Sequence, residues 1–324
     1  MSAEARNAPL VGIVVVNWNG WRDTLVSHER LRLSKHENWA FIVVDNASSD
    51  GSVGKLRELG PGSILIESSE NLGFAGACNV GIARAQDLGA EYIYLLNNDA
   101  FVTPETLPSL VSASRELKDK AVLGSVIRYE KGDTLQFWGA RASRMTGLPR
   151  KFPASEQQFD SASDRIDSDF IMGASLFAHR DVFARVGPFD DRFFLNYEET
   201  DWCYRARRLG FPSIVLKNAV VQHKGGASIG DPNGPLQIYF MRRNRALFGE
   251  KNCAPHQFAM IYLHQVLRSL AQVPRFIFDR RPSSAGWRMI RHADFRATLD
   301  YTFRRFGDCP TFIRELAASY RALR

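Results

Sequence analysis

The sequence predicts an α/β protein: a mostly parallel, Rossmann-like central sheet with helices on both faces, followed by a helical C-terminal extension. Three observations predict it. Short apolar runs rich in β-branched residues alternate with helix-length segments over roughly the first 120 residues. Those runs lack polar/apolar alternation, as expected of strands buried on both faces. From Gln237 onward the pattern is helical and basic.

Leu10 to Val16 reads as the first buried strand, and Asp23 to Leu33 suits a helix with a polar middle. Phe41 to Val44 is a second strand. Asp50, Gly51 and Ser52 open a helix through Leu59, which Gly60, Pro61 and Gly62 stop. Ile64 to Ile66 is a third strand, and Gly76 to Leu88 a helix closed by Gly89. Tyr92 to Leu96 is a fourth strand and Pro104 to Leu117 a helix. Right-handed crossovers are expected throughout.

The middle of the chain is less regular. Ala121 to Arg128 and Gln136 to Gly139 look like strands, and polar Arg150 to Arg165 reads as a mobile loop. Phe170 to Ala178 is apolar and rich in small residues, and Arg180 to Val186 reads as a short helix. Glu199 to Leu209 is a helix ended by Gly210, and Ile214 to His223 is a strand. Gly225 to Ser228 and Gly230 to Pro235 are turn-like. The expected organisation is a catalytic domain over 1–235, with a nucleotide-binding half at 9–120 and an acceptor half at 121–235, then a basic helical region at 236–324.

Composition narrows the function classes. Apolar residues make up 45% and charged residues 24%, ordinary for a globular protein with a sizeable core. No run nears the ~20 consecutive apolar residues of a membrane-spanning helix. Met1 to Pro9 has no apolar run of the signal-peptide type, so the expected location is the cytoplasm. Cys78, Cys203, Cys253 and Cys309 lie far apart and form no ligand-type pair, which suits reduced thiols. The net charge of +7 is uneven: positions 241–324 hold 16 Lys or Arg against 6 Asp or Glu. A basic tail on a near-neutral body suggests an anionic surface or partner.

Polar residues follow apolar runs at three strand ends: Asn17-Trp18-Asn19, Asp45-Asn46 and Asn97-Asn98-Asp99. The carboxyl ends of strands in an open α/β sheet are where ligands bind. Together with Asn71 to Gly81, Gly173 to Arg180, Glu198 to Asp201 and His223, these segments resemble the family 2 nucleotide-sugar glycosyltransferases, which have the GT-A fold. The resemblance spans about Pro9 to Ser228. It is greatest to bacterial rhamnosyltransferases and galactofuranosyltransferases of cell-surface polysaccharide synthesis. Any one segment is a weak signal; all seven in order are a strong one.

The resemblance implies roles. Asp45 would accept the N3–H of uracil or thymine, with Asn46 beside it; helix capping is the plainer duty for Ser48 and Asp50. Asn17 would contact base and ribose, against an ordinary Asx turn. Asn71, Gly73 and Asn79 precede or open a helix whose N-terminus would attract the diphosphate, and Asn98 and Gly173 would also touch the donor. Asp99, His223 and Asn97 would hold a divalent cation, Mg²⁺ or Mn²⁺. Asn97 departs from a strict D-x-D motif, and a lone histidine after a strand is often structural. Glu199 stands where the family places its general base, usually aspartate, with Asp201 next. Carboxylates at a helix start can also simply complement the helix dipole, but clustered acids raise one another's pKa, as a base requires.

The expected reaction is a single inverting displacement moving L-rhamnose from dTDP-L-rhamnose to a saccharide or lipid-linked saccharide. A UDP-dependent galactofuranosyl- or hexosyltransferase is the near rival, and an inactive sugar-nucleotide-binding module a further one. A nucleic-acid partner is not expected, because the basic residues lie away from the aspartates and are not interleaved with a stacking surface. In the tail, Ala259, Leu263, Val266, Leu267, Leu270 and Val273 recur at helical spacing near Arg268, Arg275, Arg280 and Arg281. Packing against the catalytic domain is the default expectation for them. Peripheral contact with the inner face of the cell membrane is the sharper alternative.

Overall fold

The computed structural model describes residues 8–60, 62–225, 231, 233–278 and 285–323, excepting the side chains of 272–278. The Gly226–Ser228 loop, part of the turn at 230–235, and the side chains of Val273, Arg275, Arg280 and Arg281 fall outside that description.

The first half alternates as expected. Strands β1 (Val11–Asn17), β2 (Trp39–Asp45), β3 (Ser63–Glu67) and β4 (Tyr92–Leu96) are separated by helices α1 (Trp21–Leu31), α2 (Ser52–Leu56) and α3 (Gly73–Asp87). Strand β5 (Ala100–Val102) and helix α4 (Thr106–Glu116) follow. Successive side chains of a strand point to opposite faces, and here both faces are covered. Val14, Ile42 and Ile93 pack in one core, while Ile13, Val15, Phe41 and Val43 pack in the other. This double burial is why the strand sequences show no alternation.

The second half contributes β6 (Val122–Tyr129), β7 (Leu135–Phe137), β8 (Ala140–Ala142), β9 (Pro149–Lys151), α5 (Glu156–Asp160), β10 (Arg165–Ser168), β11 (Ser175–His179), α6 (Arg180–Val186), α7 (Glu198–Arg208) and β12 (Ser213–His223). The main sheet runs β10-β12-β6-β11-β4-β1-β2-β3, with β5 added on β12 and β7 on β6. Along this path only β11 and β10 oppose the common direction. Parallel register sets Asn17 opposite Asp45 at the carboxyl ends of β1 and β2.

The stretch Arg150 to Arg165 is not a loop. It holds the end of the β8–β9 hairpin, the short helix α5, and the start of β10. Ser155 caps α5 by accepting from the Gln158 N–H, and Phe152 and Phe159 pack on Trp138. The cap and the two aromatics offset the entropy that its polar composition suggested would win.

The C-terminal region is helical: α8 (Pro235–Asn252), α9 (Pro255–Phe278), α10 (Ala285–Thr302) and α11 (Thr311–Ala322). A buried ionic cluster ties it to the sheet. Asp201 of α7 accepts from Lys251 Nζ at 2.9 Å and Asn252 Nδ2 at 2.8 Å, both of α8, and from Arg205 Nε at 3.0 Å. Asp201 is therefore an anchor for α8 rather than a second catalytic carboxylate. Helical geometry explains the correction: two residues after Glu199 is about 200° around the axis, so the two carboxylates leave opposite sides of α7.

Asp201→Ala removes the buried carboxylate from Arg205, which keeps only backbone carbonyls, and leaves Lys251 with Asp190 alone. It should cost on the order of 3 kcal/mol, read as a lowered midpoint in urea denaturation with an unchanged slope.

Candidate active site

A cleft of about 560 Å³ opens at the carboxyl ends of β4 and β12, within the usual range for small-molecule sites. Asn97, Asp99, Gly173, Glu199 and His223 all line it. These five positions, spread over more than a hundred residues of sequence, are brought together by the sheet order. Strand β5 pairs with β12 so that Ala100 faces His223, and the Asn97 N–H reaches the Ala174 carbonyl ahead of β11 at 3.4 Å.

Asp99 and His223 form the polar floor. His223 Nε2 lies 3.0 Å from Asp99 Oδ1, and both residues are buried. On the other side of the ring, His223 Nδ1 sits 2.8 Å from Gln136 Oε1. An amide oxygen can only accept, so the Nδ1–H donates to it. In the neutral ring Nε2 then carries a lone pair, on the side of the Asp99 carboxylate and the Asn97 amide. Two facing acceptors fit a cation shared between them, and imidazole nitrogen with carboxylate oxygen suits a first-row divalent ion. Among the described residues no group of three or more His, Cys, Asp or Glu forms a metal cage, so further ligands would come from a substrate, as is usual for Mg²⁺. Asn97 turns Nδ2, not its oxygen, toward His223 Nε2 at 3.3 Å. An amide N–H has no lone pair to offer, so as placed Asn97 is a hydrogen-bond donor there rather than a metal ligand.

Glu199 lines the same cleft from the first turn of α7. Burial pushes its carboxyl above the usual carboxylate range; backbone N–H groups at Glu199 and Gly173, the Lys151 ammonium and the Thr200 N–H offset part of this. Its Oε2 is buried and has no hydrogen-bond partner. Glu198 beside it is pushed further up, by burial first and by the Glu199 charge second. Gly173 closes the wall: a Cβ there would stand 3.3 Å from the Phe74 ring and 3.7 Å from Glu199 Cγ. A carboxyl held above its usual pKa, on a residue that lines a cleft, can take up a proton.

The turn before α7 aims this wall. Phe194, Asn196 and Tyr197 all have positive φ, at 62°, 69° and 76°, a conformation that costs non-glycine residues about 1–2 kcal/mol each. Asn244 of α8 holds the turn by donating to the Phe193, Leu195 and Asn196 carbonyls at 2.8, 2.8 and 2.9 Å. Fully buried Arg243 adds bonds to the Arg192 and Phe193 carbonyls. The Phe194 carbonyl in turn accepts from the Phe74 and Ala75 N–H groups at the start of α3, at 2.6 and 3.3 Å.

That contact corrects one expectation. The first N–H groups of α3 are engaged by Phe194 and do not face an open diphosphate site. Gly73 serves the same contact, since φ is +71° and a Cβ would come within 2.4 Å of the Phe194 oxygen. Asn46 donates to Asn71 Oδ1 and the Gly73 carbonyl and accepts from the Leu72 N–H. Both ends of the Asn79 amide pair with the Phe189 backbone, at 3.0 and 2.9 Å. Asn46, Asn71, Gly73 and Asn79 thus brace the loop, their hydrogen-bonding groups turned inward.

The remaining positions lie outside the cleft lining. Asp45 is buried, its Oδ1 accepting from Asn17 Nδ2 at 2.8 Å and its Oδ2 from the Ser48 N–H at 3.0 Å. Asn17 also accepts from Thr24 Oγ1 at 2.8 Å. Asn98 reaches the Gly20 carbonyl at 3.3 Å, joining the end of β4 to the loop after β1. Asp45 therefore sits two strands from the Asp99–His223 pair instead of sharing its pocket. The residues that sequence reasoning missed are Gln136, Lys151 and Asn244. Nothing in their local sequence marks them; each acts through a partner far along the chain.

Comparison with known proteins gives this cleft a setting. The chain is 25% identical over 254 residues to the dTDP-rhamnosyl transferase RfbF of Shigella flexneri, covering 76% of this chain and 82% of that one. It is 24% identical to the N-acetylglucosaminyl-diphospho-decaprenol L-rhamnosyltransferase of Mycobacterium tuberculosis, over 64% of this chain and 74% of the relative. It is 29% identical to the galactofuranosyltransferase GlfT1 of Mycolicibacterium smegmatis, over 63% and 71%. Two solved structures share the fold. A mannosyltransferase from Pyrobaculum calidifontis in complex with GDP-Man and Mn²⁺ aligns with a TM-score of 0.57 at 13% identity, over 92% of this chain and 88% of that one. GalNAc-T7 with UDP, GalNAc and Mn²⁺ aligns with a TM-score of 0.57 at 16% identity, over 76% of this chain and 53% of that one. The fold is GT-A. The profile described as "Glycosyl transferase family 2" matches residues 12–186, from β1 to the end of α6 and so more than half of the sequence, and the chain belongs to that family.

Proposed function

We propose that the chain is an inverting glycosyltransferase that moves L-rhamnose from dTDP-L-rhamnose to a hydroxyl of a cell-surface polysaccharide or lipid-linked saccharide precursor. The observation that carries it is that Glu199, whose carboxylate has a buried oxygen without a hydrogen-bond partner, lines the same cleft as the Asp99–His223 pair. The rhamnosyltransferases among the relatives favour this sugar. The galactofuranosyltransferase relative favours a second reading, UDP-dependent galactofuranosyl or hexosyl transfer, at the same site.

In the proposed reaction the acceptor hydroxyl gives its proton to Glu199. The oxygen attacks the anomeric carbon from the face opposite the diphosphate, and the bond from that carbon to the diphosphate oxygen breaks with its electron pair going to the nucleotide. One displacement inverts the anomeric configuration, and no glycosyl-enzyme forms. Asp99 and His223 would hold a divalent cation, which when bound supplies positive charge against the departing diphosphate. Gln136, by accepting from Nδ1–H, would favour the His223 tautomer with a lone pair on Nε2. Asp45, with Asn17 behind it, would present a carboxylate to a pyrimidine base at the carboxyl ends of β1 and β2. Taking a lipid-linked acceptor, the protein would work at the inner face of the cell membrane.

Three outcomes are expected. Glu199→Gln should lower kcat by about 10²–10⁴ while donor affinity is kept. In the wild type, kcat/KM should fall on the acid side through a pKa above the usual carboxylate range, because the raised folded-state value keeps Glu199 protonated, and useless as a base, to higher pH; this limb should vanish in Glu199→Gln. A limb at the ordinary carboxylate value would remove Glu199 from the role.

A thermal-shift panel should show stabilisation by dTDP- or UDP-sugars with Mg²⁺ or Mn²⁺ and none by ADP- or GDP-sugars, about 2.7 kcal/mol at a hundredfold excess over Kd. Asp99→Asn should abolish the metal-dependent part.

Glu198 gives a stability test with a definite sign. Its folded pKa is raised, so its contribution is present below its unfolded pKa and is lost as pH rises through the folded one. Glu198→Gln should therefore raise Tm at neutral and alkaline pH and leave it unchanged in acid.

A further inference from the structure

We infer that the outer face of α9 lies on an anionic lipid surface. Its biological sense rests on the lipid-linked acceptor proposed above; its test does not involve sugar transfer.

The observation is an amphipathic helix packed the wrong way round. The face of α9 turned to the protein carries Ile261, Gln265 and Ser269, all buried. Gln265 Nε2 and Ser269 Oγ meet Thr298 Oγ1 of α10 at 3.3 and 2.9 Å. The face turned outward carries Met260, Leu263, Leu267 and Leu270, at 40%, 58%, 57% and 56% exposure. These four recur at the i, i+3, i+7, i+10 spacing of a single stripe. A helix that seats polar groups against its neighbour and aims a leucine row outward is stable in water only at a cost. The default expectation for the tail, that Leu263, Leu267 and Leu270 face the core, is thereby overturned.

Charge selects the occupant. Pro255 to Phe278 contains no Asp or Glu, and it contains Arg268 and Arg275. His264 and Arg268 flank the leucine row on its exposed side, Arg268 with 42% of its side chain exposed and its Nε 3.8 Å from the buried Asp294 carboxylate of α10. A second copy docked through the same stripe would bring like charges together, because a two-fold interface pairs a surface with itself. Anionic headgroups complement it, and a leucine row with a basic border is the pattern of a helix lying in the membrane interface. Among the described residues no helix is long and apolar enough to cross a membrane, so contact would be peripheral.

The helix is also well placed. Gln257, in its first turn, donates to the Arg144 carbonyl at 3.1 Å in the loop between β8 and β9. Leu148 of that loop shares a small core with Ile261 of α9. The same hairpin supplies Pro149 and Lys151 to the wall of the cleft. The helix that would meet the lipid is therefore packed, through its inner face, on the hairpin that borders the cleft.

The test is flotation of the full chain with phosphatidylglycerol vesicles, with phosphatidylcholine vesicles as control, at low and high salt. The wild type should float with the anionic vesicles at low salt only. The triple variant Leu263→Gln, Leu267→Gln, Leu270→Gln should lose about tenfold in partition while keeping its Tm, its elution volume and its donor-induced thermal shift. If that variant misfolds, Leu267→Glu alone should give a smaller loss of the same sign. Wild type that stays at the bottom with phosphatidylglycerol overturns the proposal, as does equal flotation of the variants. A wild-type dimer that the triple variant converts to a monomer, with neither floating, assigns the stripe to a second copy and also overturns it.

Discussion

The carbonyl of Phe194 is the contact on which the site depends. It accepts from the Phe74 and Ala75 N–H groups in the first turn of α3, taking the place that a capping side chain would fill, and it can approach because position 73 is glycine. A chain segment that must deliver a carbonyl there, and then start a helix four residues later, has little conformational choice. The three positive φ values at Phe194, Asn196 and Tyr197 are the consequence. Asn244 and Arg243 hold that backbone by saturating its carbonyls. The helix begun in this way presents Glu198 and Glu199 to the cleft and Asp201 to α8. The C-terminal helices are thus part of what positions the site, although they contribute few residues to its lining.

The cleft sets two electrostatic environments against each other. On the β4–β12 side, the His223 Nε2 and an Asp99 carboxylate oxygen lie 3.0 Å apart, a pair that can hold positive charge between them as a proton or a cation. On the α7 side, buried carboxyls are held toward their neutral forms, countered for Glu199 by backbone N–H groups and by the Lys151 ammonium. A reaction that builds negative charge on one reactant and removes a proton from another uses such an asymmetry. One side comes from the sheet, where β11, running against its neighbours, joins β4 to β6, and the other from helix α7.

Much of this was legible in the sequence, for identifiable reasons. Tyr92–Leu96 and Arg180–Val186 fall where the residue pattern put them, because each is bounded by polar or turn residues at both ends. Asp99, Gly173, Glu199 and His223 were nameable because their motifs stand in a fixed order, and they meet in one cleft. What was not legible was the use of each amide. Asn46, Asn71 and Asn79 sit in motif positions, yet their side chains are spent on backbone groups up to 110 residues away, a pairing that no local pattern encodes. Lys151 was hidden in a polar stretch whose order comes from Ser155, Phe152 and Phe159. On α9 the helical period was readable but its phase was not, since which face meets α10 is decided by Thr298.

The most direct measurement is a crystal structure of the chain with Mn²⁺ and a non-transferable dTDP-sugar analogue. The account predicts metal density on Asp99 and His223, with the sugar in the cleft and its anomeric carbon accessible from the Glu199 wall. A nucleotide whose diphosphate lies away from Asp99 and His223, or a sugar screened from Glu199 by protein, would contradict it.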